Sequence, residues 1–414
     1  MVRSPWSARP TYHRLAEGAT LYSLSSAAAR PHLFQTPRNT DASAARCPSD
    51  AEVQNAATDG ISCVSWSPAA NYLAAGSWDN QIRCWEVQAN GTAVPKAAIS
   101  HDAPVLCCAW YARATQRGRT HARTGWRPGN VAAAHLPLLV PCRANDGARV
   151  FTGSCDKTAK VWDLATSQAT QVAGHDAPIK NIFWVQEMNC VVTSSWDKTI
   201  KYWDGKSATP RASLQLPERA YCMDIRYPLM VIATAERKLV VVNLTNPQTI
   251  YSTTTSPLKY QSRCVSCFPD QQGYCLGSIE GRVAVHHVHD RDSSKNFAFK
   301  CHRDNQDIYA VNCITFHPTY GTFATTGSDG TFNFWDKDSR QRLKAFGKAS
   351  APIPVGAFNR DGTIFAYAVS YDWSKGSEHY NPRTNHLLLH PVPEAEIKSR
   401  NTARKGFGGR TGGR

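Results

Sequence analysis

Two short runs in the chain carry residue types suited to hydrolytic chemistry, Ser100-His101-Asp102 and Gly174-His175-Asp176. A histidine beside an acid, with Ser154, Ser194 and Ser195 downstream, invites a Ser-His-Asp reading in which a carboxylate orients an imidazole that activates a hydroxyl. Fourteen cysteines include one Cys-x-x-Cys, Cys264-Val-Ser-Cys267, which could be half of a metal site. Both readings depend on the elements that hold these residues. Cys264 and Cys267 lie in a strand-like run, where positions three apart face opposite sides and cannot close on one ion. No P-loop, no Gly-x-Gly-x-x-Gly after a strand and no His-Glu-x-x-His is present.

The elements repeat. Ser77-Trp-Asp-Asn-Gln-Ile-Arg-Cys-Trp85, Ser154-Cys-Asp-Lys-Thr-Ala-Lys-Val-Trp162 and Ser195-Trp-Asp-Lys-Thr-Ile-Lys-Tyr-Trp203 align without gaps, and Gly327-Ser-Asp-Gly-Thr-Phe-Asn-Phe-Trp335 follows the same plan. Weaker copies run from Ala235 to Asn243 and from Ser278 to His286. Trp162 and Trp203 are 41 residues apart. That is the WD-repeat period, in which each unit is a four-stranded blade. Each copy reads as a tight turn at Asp followed by alternating strand residues. Seven blades are predicted, starting near Ile61, Val105, Ile179, Tyr221, Cys264, Val311 and Val355. The last needs an outer strand from Ala51–Ala57, which closes the ring and removes an open edge. The fold class is therefore all-β, a seven-bladed WD40 propeller.

That geometry settles the His-Asp pairs. In a blade, a His between blades, a Ser or Thr on the second strand, the turn Asp and the third-strand Trp make a buried hydrogen-bonded chain. Blade 2 offers His101, Thr152 or Ser154, Asp156 and Trp162. Blade 3 offers His175, Ser194 or Ser195, Asp197 and Trp203. A hydroxyl locked there has no substrate access and no oxyanion donors, so the role is structural. The sequence predicts neither catalysis nor a cofactor nor a metal.

The net charge of +15 is unevenly distributed. Residues 1–50 hold six Arg against three acids, residues 111–145 hold six Arg and no acid, and residues 398–414 hold six Lys or Arg and no acid. The remaining body, 51–397, is close to neutral, so the basic pI says little about its partners. The first 50 residues read as a disordered extension, with an Arg- and Ser-rich character loosely like a transit peptide. The insertion 111–145 interrupts blade 2 between its first two strands and reads either as a plain insertion or as a basic nucleic-acid-binding loop. The Gly/Arg tail 398–414 reads as flexible. Reduced, buried thiols are expected, and no apolar run is long enough for a membrane span.

Function is expected on the face bearing the second turns. Trp78 and Trp196 occupy such turns, Lys259-Tyr260-Gln-Ser-Arg263 leads into blade 5, and Arg282 lies just past its second turn. Together they form a cationic, aromatic surface suited to an acidic peptide.

From about Ala51 to Val392 the chain resembles the nuclear-pore mRNA export factor family. The resemblance rests on Ser100-His-Asp-Ala-Pro-Val-Leu-Cys-Cys-Ala-Trp110, Thr152-Gly-Ser-Cys-Asp-Lys-Thr-Ala-Lys-Val-Trp162, Leu276-Gly-Ser-Ile-Glu-Gly-Arg-Val-Ala-Val-His286 and Ser370-Tyr-Asp-Trp-Ser-Lys-Gly376. It implies a scaffold, monomeric within a hetero-complex. That scaffold binds the GLEBS hairpin of an FG nucleoporin through Trp78, Lys259, Tyr260, Arg263 and Arg282. It further implies a role in mRNA export at the nuclear pore and in the nucleus, with some cytoplasmic protein, contact with mRNA or mRNP, ubiquitin binding, and a part in spindle assembly. It also implies a nucleic-acid patch at Phe299, Trp335, Asp336, Arg340 and Arg342, where aromatics stand beside guanidinium groups. The spindle-checkpoint propeller is a close cousin, sharing the Lys-Tyr-Gln-x-Arg-Cys run and Ser-Ile-Glu-Gly-Arg-Val-Ala-Val, and its GLEBS partners are checkpoint kinases. The Ser-Tyr-Asp-Trp-Ser-Lys-Gly loop favours the export factor. The N-terminal 50 residues, the insertion and the Gly/Arg tail depart from the family pattern.

Overall fold

The computed structural model describes residues 50–111, 148–205, 207, 209–381 and 384–399. The predicted extension, insertion and tail thus lie almost wholly outside the described residues.

Each repeat folds locally for a visible reason. The turn Asp accepts a hydrogen bond from the backbone N–H two residues on: Asp79 from Gln81 (3.0 Å), Asp156 from Thr158 (2.8 Å), Asp197 from Thr199 (2.9 Å) and Asp329 from Thr331 (3.0 Å). The residue between them, Asn80, Lys157, Lys198 or Gly330, takes a left-handed conformation with φ of 67° to 77°. A side chain that mimics a backbone turn, followed by one left-handed residue, reverses the chain in the fewest steps.

The strands assemble into seven antiparallel four-stranded sheets. Their inner strands are Ile61–Trp66, Val105–Trp110, Ile179–Val185, Ala220–Arg226, Ser262–Cys267, Val311–Phe316 and Gly356–Phe358. These starts fall within two residues of the predicted ones. Each inner strand packs on the next, and the seventh packs on the first, so the ring closes. The inner strands enclose an axial channel of about 480 Å³. Six inner strands carry a bulge at their second residue, as between Ile61 and Cys63. Such bulges re-aim one side chain.

Apolar faces meet at the seams between blades. Val192, Ile200 and Tyr202 of blade 3 pack on Met230, Ile232 and Val240 of blade 4. Comparable clusters fill the other seams, with Trp85, Trp162 and Trp203 fully buried.

Blade 7 is completed from the other end of the chain. Its strands Ile364–Val369 and His386–Pro391 are joined by Ala51–Val53, with Ala51 opposite Leu389 and Val53 opposite Leu387. Side chains reinforce the join. Asp50 lies 2.7 Å from His390 Nδ1 and accepts from Tyr367 Oη (2.5 Å), and Glu396 of the short helix Glu394–Ile397 lies 3.1 Å from His390 Nε2. Among the described residues, no helix is long and apolar enough to cross a membrane.

Candidate partner-binding face

The His-Asp pairs sit inside the blades. In blade 3, His175 Nδ1–H donates to Asp197 Oδ2 (2.7 Å), Nε2 lies 2.7 Å from Thr193 Oγ1, and Trp203 Nε1–H donates to that hydroxyl (2.8 Å). The hydroxyl is therefore Thr193, and neither Ser194 nor Ser195. The side chains on the second strand alternate, and Thr193 is the one aimed at Trp203. Ser195 instead donates to Ala177 O (3.0 Å) and accepts from Asp197 N, while Ser194 accepts from Asn181 Nδ2 (2.7 Å). In blade 2, His101 joins Asp156 (2.8 Å) and Thr152 (2.8 Å), while Ser154 binds Ala103 O. The expected fourth member does not engage: Trp162 Nε1 is buried and without a hydrogen-bond partner.

Blade 6 holds a full chain that the sequence reading missed. His302 lies 2.9 Å from Asp329 and 2.8 Å from Thr325, whose hydroxyl accepts from Trp335 Nε1–H (2.9 Å). His302 lacks the flanking His-Asp signature, and a two-stranded hairpin, Arg303–Asp304 with Asp307–Ile308, separates it from its blade. Burial alone would raise the pKa of each turn Asp. Hydrogen bonds from the imidazole and the neighbouring Thr outweigh it, holding Asp156 to about 2 and Asp197 and Asp329 below the carboxylate range.

The upper mouth of the channel is a separate cavity of about 210 Å³ to which all seven blades contribute. Trp78 and Trp196, expected on exposed turns, are half-buried in its wall. Trp78 packs against Trp373 of the blade 7 loop with ring centroids 5.7 Å apart, and Trp373 stacks on Tyr380 at 5.4 Å. Trp196 Nε1 is buried and makes no hydrogen bond. Lys180 and Arg263 bring positive charge to the same mouth.

Arg263 is more than a surface cation. Its Nη2 donates to Asp372 O (3.1 Å) and lies 3.8 Å from Asp372 Oδ2, tying blade 5 to the blade 7 loop. The Asp372 side chain is fully buried, which would raise its pKa. The Arg263 charge and hydrogen bonds from Ser328, Ser374 N–H and Asn312 keep it lowered. Reversing the Arg263 charge would therefore disturb folding as well as the rim, because it would set a second carboxylate beside the buried Asp372.

Lys259 and Tyr260 are exposed on the rim, and Tyr260, at 57%, is among the most exposed large hydrophobics of the described residues. Arg282 is half-exposed with Nε 3.6 Å from Glu280 Oε2, and Glu280 also accepts from Lys259 N–H (3.0 Å). Glu280 thus orders this strip and offsets part of its charge.

The second patch runs along the outer strands of blades 5 and 6. Phe299 and Trp335 pack with centroids 4.7 Å apart, Arg342 lies 6.0 Å over Trp335, and exposed Arg340 lies 4.6 Å over Phe297. Asp336 does not belong to this surface. It is 4% exposed and accepts from Ser339 (2.7 Å) and Ser399 (2.6 Å), closing the strand end. Trp335 is bound to Thr325, so its exposed edge alone is available. Cys264 and Cys267 point apart as their spacing requires: Cys264 Sγ–H donates to Val311 O of blade 6 and Cys267 Sγ–H to Asp224 O of blade 4.

A closed ring of seven blades, pinned by buried His-Asp-Thr-Trp chains and presenting a basic, aromatic mouth, defines a WD-repeat propeller scaffold. The family model described as WD domain, G-beta repeat matches residues 52–86, 142–163, 166–204 and 293–336. Over most of its length the chain is also similar to three curated proteins. It is 50% identical to Protein RAE1 of Arabidopsis thaliana (84% of this chain, 92% of that one) and 48% identical to the mRNA export factor of Xenopus tropicalis (85% and 91%). It is 45% identical to the Poly(A)+ RNA export protein of Schizosaccharomyces pombe (85% and 93%). The chain belongs to the mRNA export factor family of WD-repeat proteins.

Proposed function

We propose that this protein is a non-enzymatic adaptor in nuclear mRNA export that binds an acidic hairpin segment, the GLEBS motif of an FG nucleoporin, across its upper face. The observation that carries the reading is the rim of blade 5. There Lys259, Tyr260 and Arg282 are solvent-accessible beside an aromatic mouth, on a chain whose relatives are named for RNA export. Exposed cations around an aromatic anchor suit an acidic peptide: charge steers the encounter and the aromatic ring holds it. Such a tether places the protein at the nuclear pore.

The test is direct binding of a nucleoporin GLEBS peptide and a checkpoint-kinase GLEBS peptide to the purified chain. The proposal expects the nucleoporin peptide to bind more tightly, and Lys259→Glu with Arg282→Glu to weaken it at least tenfold with an unchanged melting curve. Tighter binding of the kinase peptide would favour the checkpoint adaptor, the reading supported by the shared Lys-Tyr-Gln-x-Arg-Cys run. Binding untouched by both substitutions would move the interface elsewhere.

A further inference from the structure

We infer that Cys63 and Cys108 form a reversible redox pair that a hydroperoxide entering the axial channel converts to a disulfide joining blades 1 and 2. The argument starts from strand alternation. On the inner strand of blade 1, Val64 and Trp66 face blade 7, so Cys63 and Ser65 face blade 2. On the inner strand of blade 2, Cys107 faces blade 3, where its Sγ–H donates to Ile179 O (3.7 Å), so Cys108 and Trp110 face blade 1. Trp110 Nε1–H donates to Ser65 O (2.9 Å), which fixes the register of the seam and brings the two thiols face to face. Both sulfurs line the same stretch of the axial channel, on opposite sides of this one seam.

The arrangement is particular to this seam. At comparable positions Cys107, Cys222 and Cys264 share their seams with Ile182, Val265 and Ile314. The side chain facing each of those thiols across its seam is a hydrocarbon and not a second thiol.

Reactivity follows from the surroundings. Among the described cysteines, burial pushes most other thiols up and the neighbouring Cys63 together with burial pushes Cys108 up, while Cys63 is held below the ordinary thiol value. Donation from Cys108 overcomes burial there, helped by Ser62, the Gly76 backbone and the charge of Lys180. Both thiols line the channel of about 480 Å³, wide enough for a peroxide molecule, and Cys108 is partly exposed. A lowered thiolate next to a resolving thiol is the arrangement of redox-sensitive cysteines.

The chemistry balances with hydrogen peroxide as the oxidant. The Cys63 thiolate attacks one peroxide oxygen, the O–O bond breaks, and the leaving hydroxide takes a proton to become water. The resulting sulfenic acid is attacked by Cys108 sulfur. The S–S bond forms as the S–O bond breaks, and the hydroxyl leaves as water with the Cys108 proton. Two thiol hydrogens and two electrons pass to the peroxide, giving two waters.

The experiment uses the full folded chain. It is treated with stoichiometric hydrogen peroxide, capped, and mapped by mass spectrometry without reductant. The expected main cross-link joins Cys63 to Cys108, lighter by two hydrogens and reversed by dithiothreitol. Cys108→Ser should trap Cys63 as a dimedone-reactive sulfenic acid, Cys63→Ser should leave Cys108 unlabelled, and Cys107→Ser should keep the cross-link. Circular dichroism melting confirms that each variant is folded. A folded chain that forms no such cross-link, or one that links Cys107 equally well, would overturn the assignment.

Discussion

His175, Asp197, Thr193 and Trp203 show how a constellation with catalytic residue types becomes a girder. Each donor meets its acceptor within 2.7–2.8 Å, leaving no hydroxyl poised for a substrate. Asp197→Ala is expected to lower stability by about 1.5–3 kcal/mol, the worth of a hydrogen bond to a charged group, and Thr193→Val by about 1 kcal/mol. Ser194→Ala, outside the chain, should cost less than Thr193→Val, and thermal melting of the three variants ranks them. The turn carboxylates also set an acid limit. Their folded pKa values are depressed, so their contribution is fully present above about pH 3.9, the unfolded value, and is lost as pH falls through about 2 for Asp156. An acid titration should shift toward higher pH in Asp156→Asn. The sequence told the chemistry of these residues from their spacing, yet not which hydroxyl serves. Ser195, Ser194 and Thr193 are adjacent, and only the strand's pleat decides among them. His302 was invisible for a related reason, since its partners Thr325 and Asp329 are brought to it by a hairpin that no repeat copy predicts.

Among the elements, the blades were legible because turn and strand residues recur at one period, and the outermost strand of blade 7 because an unpaired edge had to be met from the other terminus. The loop 370–385 was not, because its contacts are made to other blades, one adjacent and one across the ring. Trp373 reaches Trp78 of blade 1, and Asp372 reaches Arg263 of blade 5. That is why two side chains expected to project into solvent are instead parts of a wall. The closing strand has its own titration. Burial opposes charge on His390, but Asp50 and Glu396 raise its pKa above the ordinary value. A raised folded value means the stabilisation is fully present below about pH 6.5 and fades as pH rises through the folded pKa. The melting difference between the protein and His390→Asn should therefore be largest near pH 6 and shrink at alkaline pH. An unchanging difference would show that His390 acts by packing against Phe346 and Phe332.

For the whole molecule, charge and fold are separate. The body is near neutral while the segments 1–50, 111–145 and 398–414 carry the excess, so these segments are expected to contribute most of any salt-sensitive affinity for RNA, with Arg340 and Arg342 the exposed cations of the outer patch. If the six cations of 398–414 engage phosphates, their deletion should flatten the slope of log affinity against log salt by about four to five units, with peptide binding at the upper face unchanged. An unaltered slope would remove the tail from RNA contact.

The strand Ala51–Val53 carries a consequence for how the molecule is made. It leaves the ribosome early, whereas its partner His386–Pro391 is among the last parts of the propeller to be synthesised, and His390 lies 340 residues from Asp50. Until then the nascent chain has a vacant berth at blade 7, and folding must wait on its longest-range contact. Stitching residue 392 to residue 50 and cutting the chain between two blades instead would turn that late, distant meeting into an early, local hairpin.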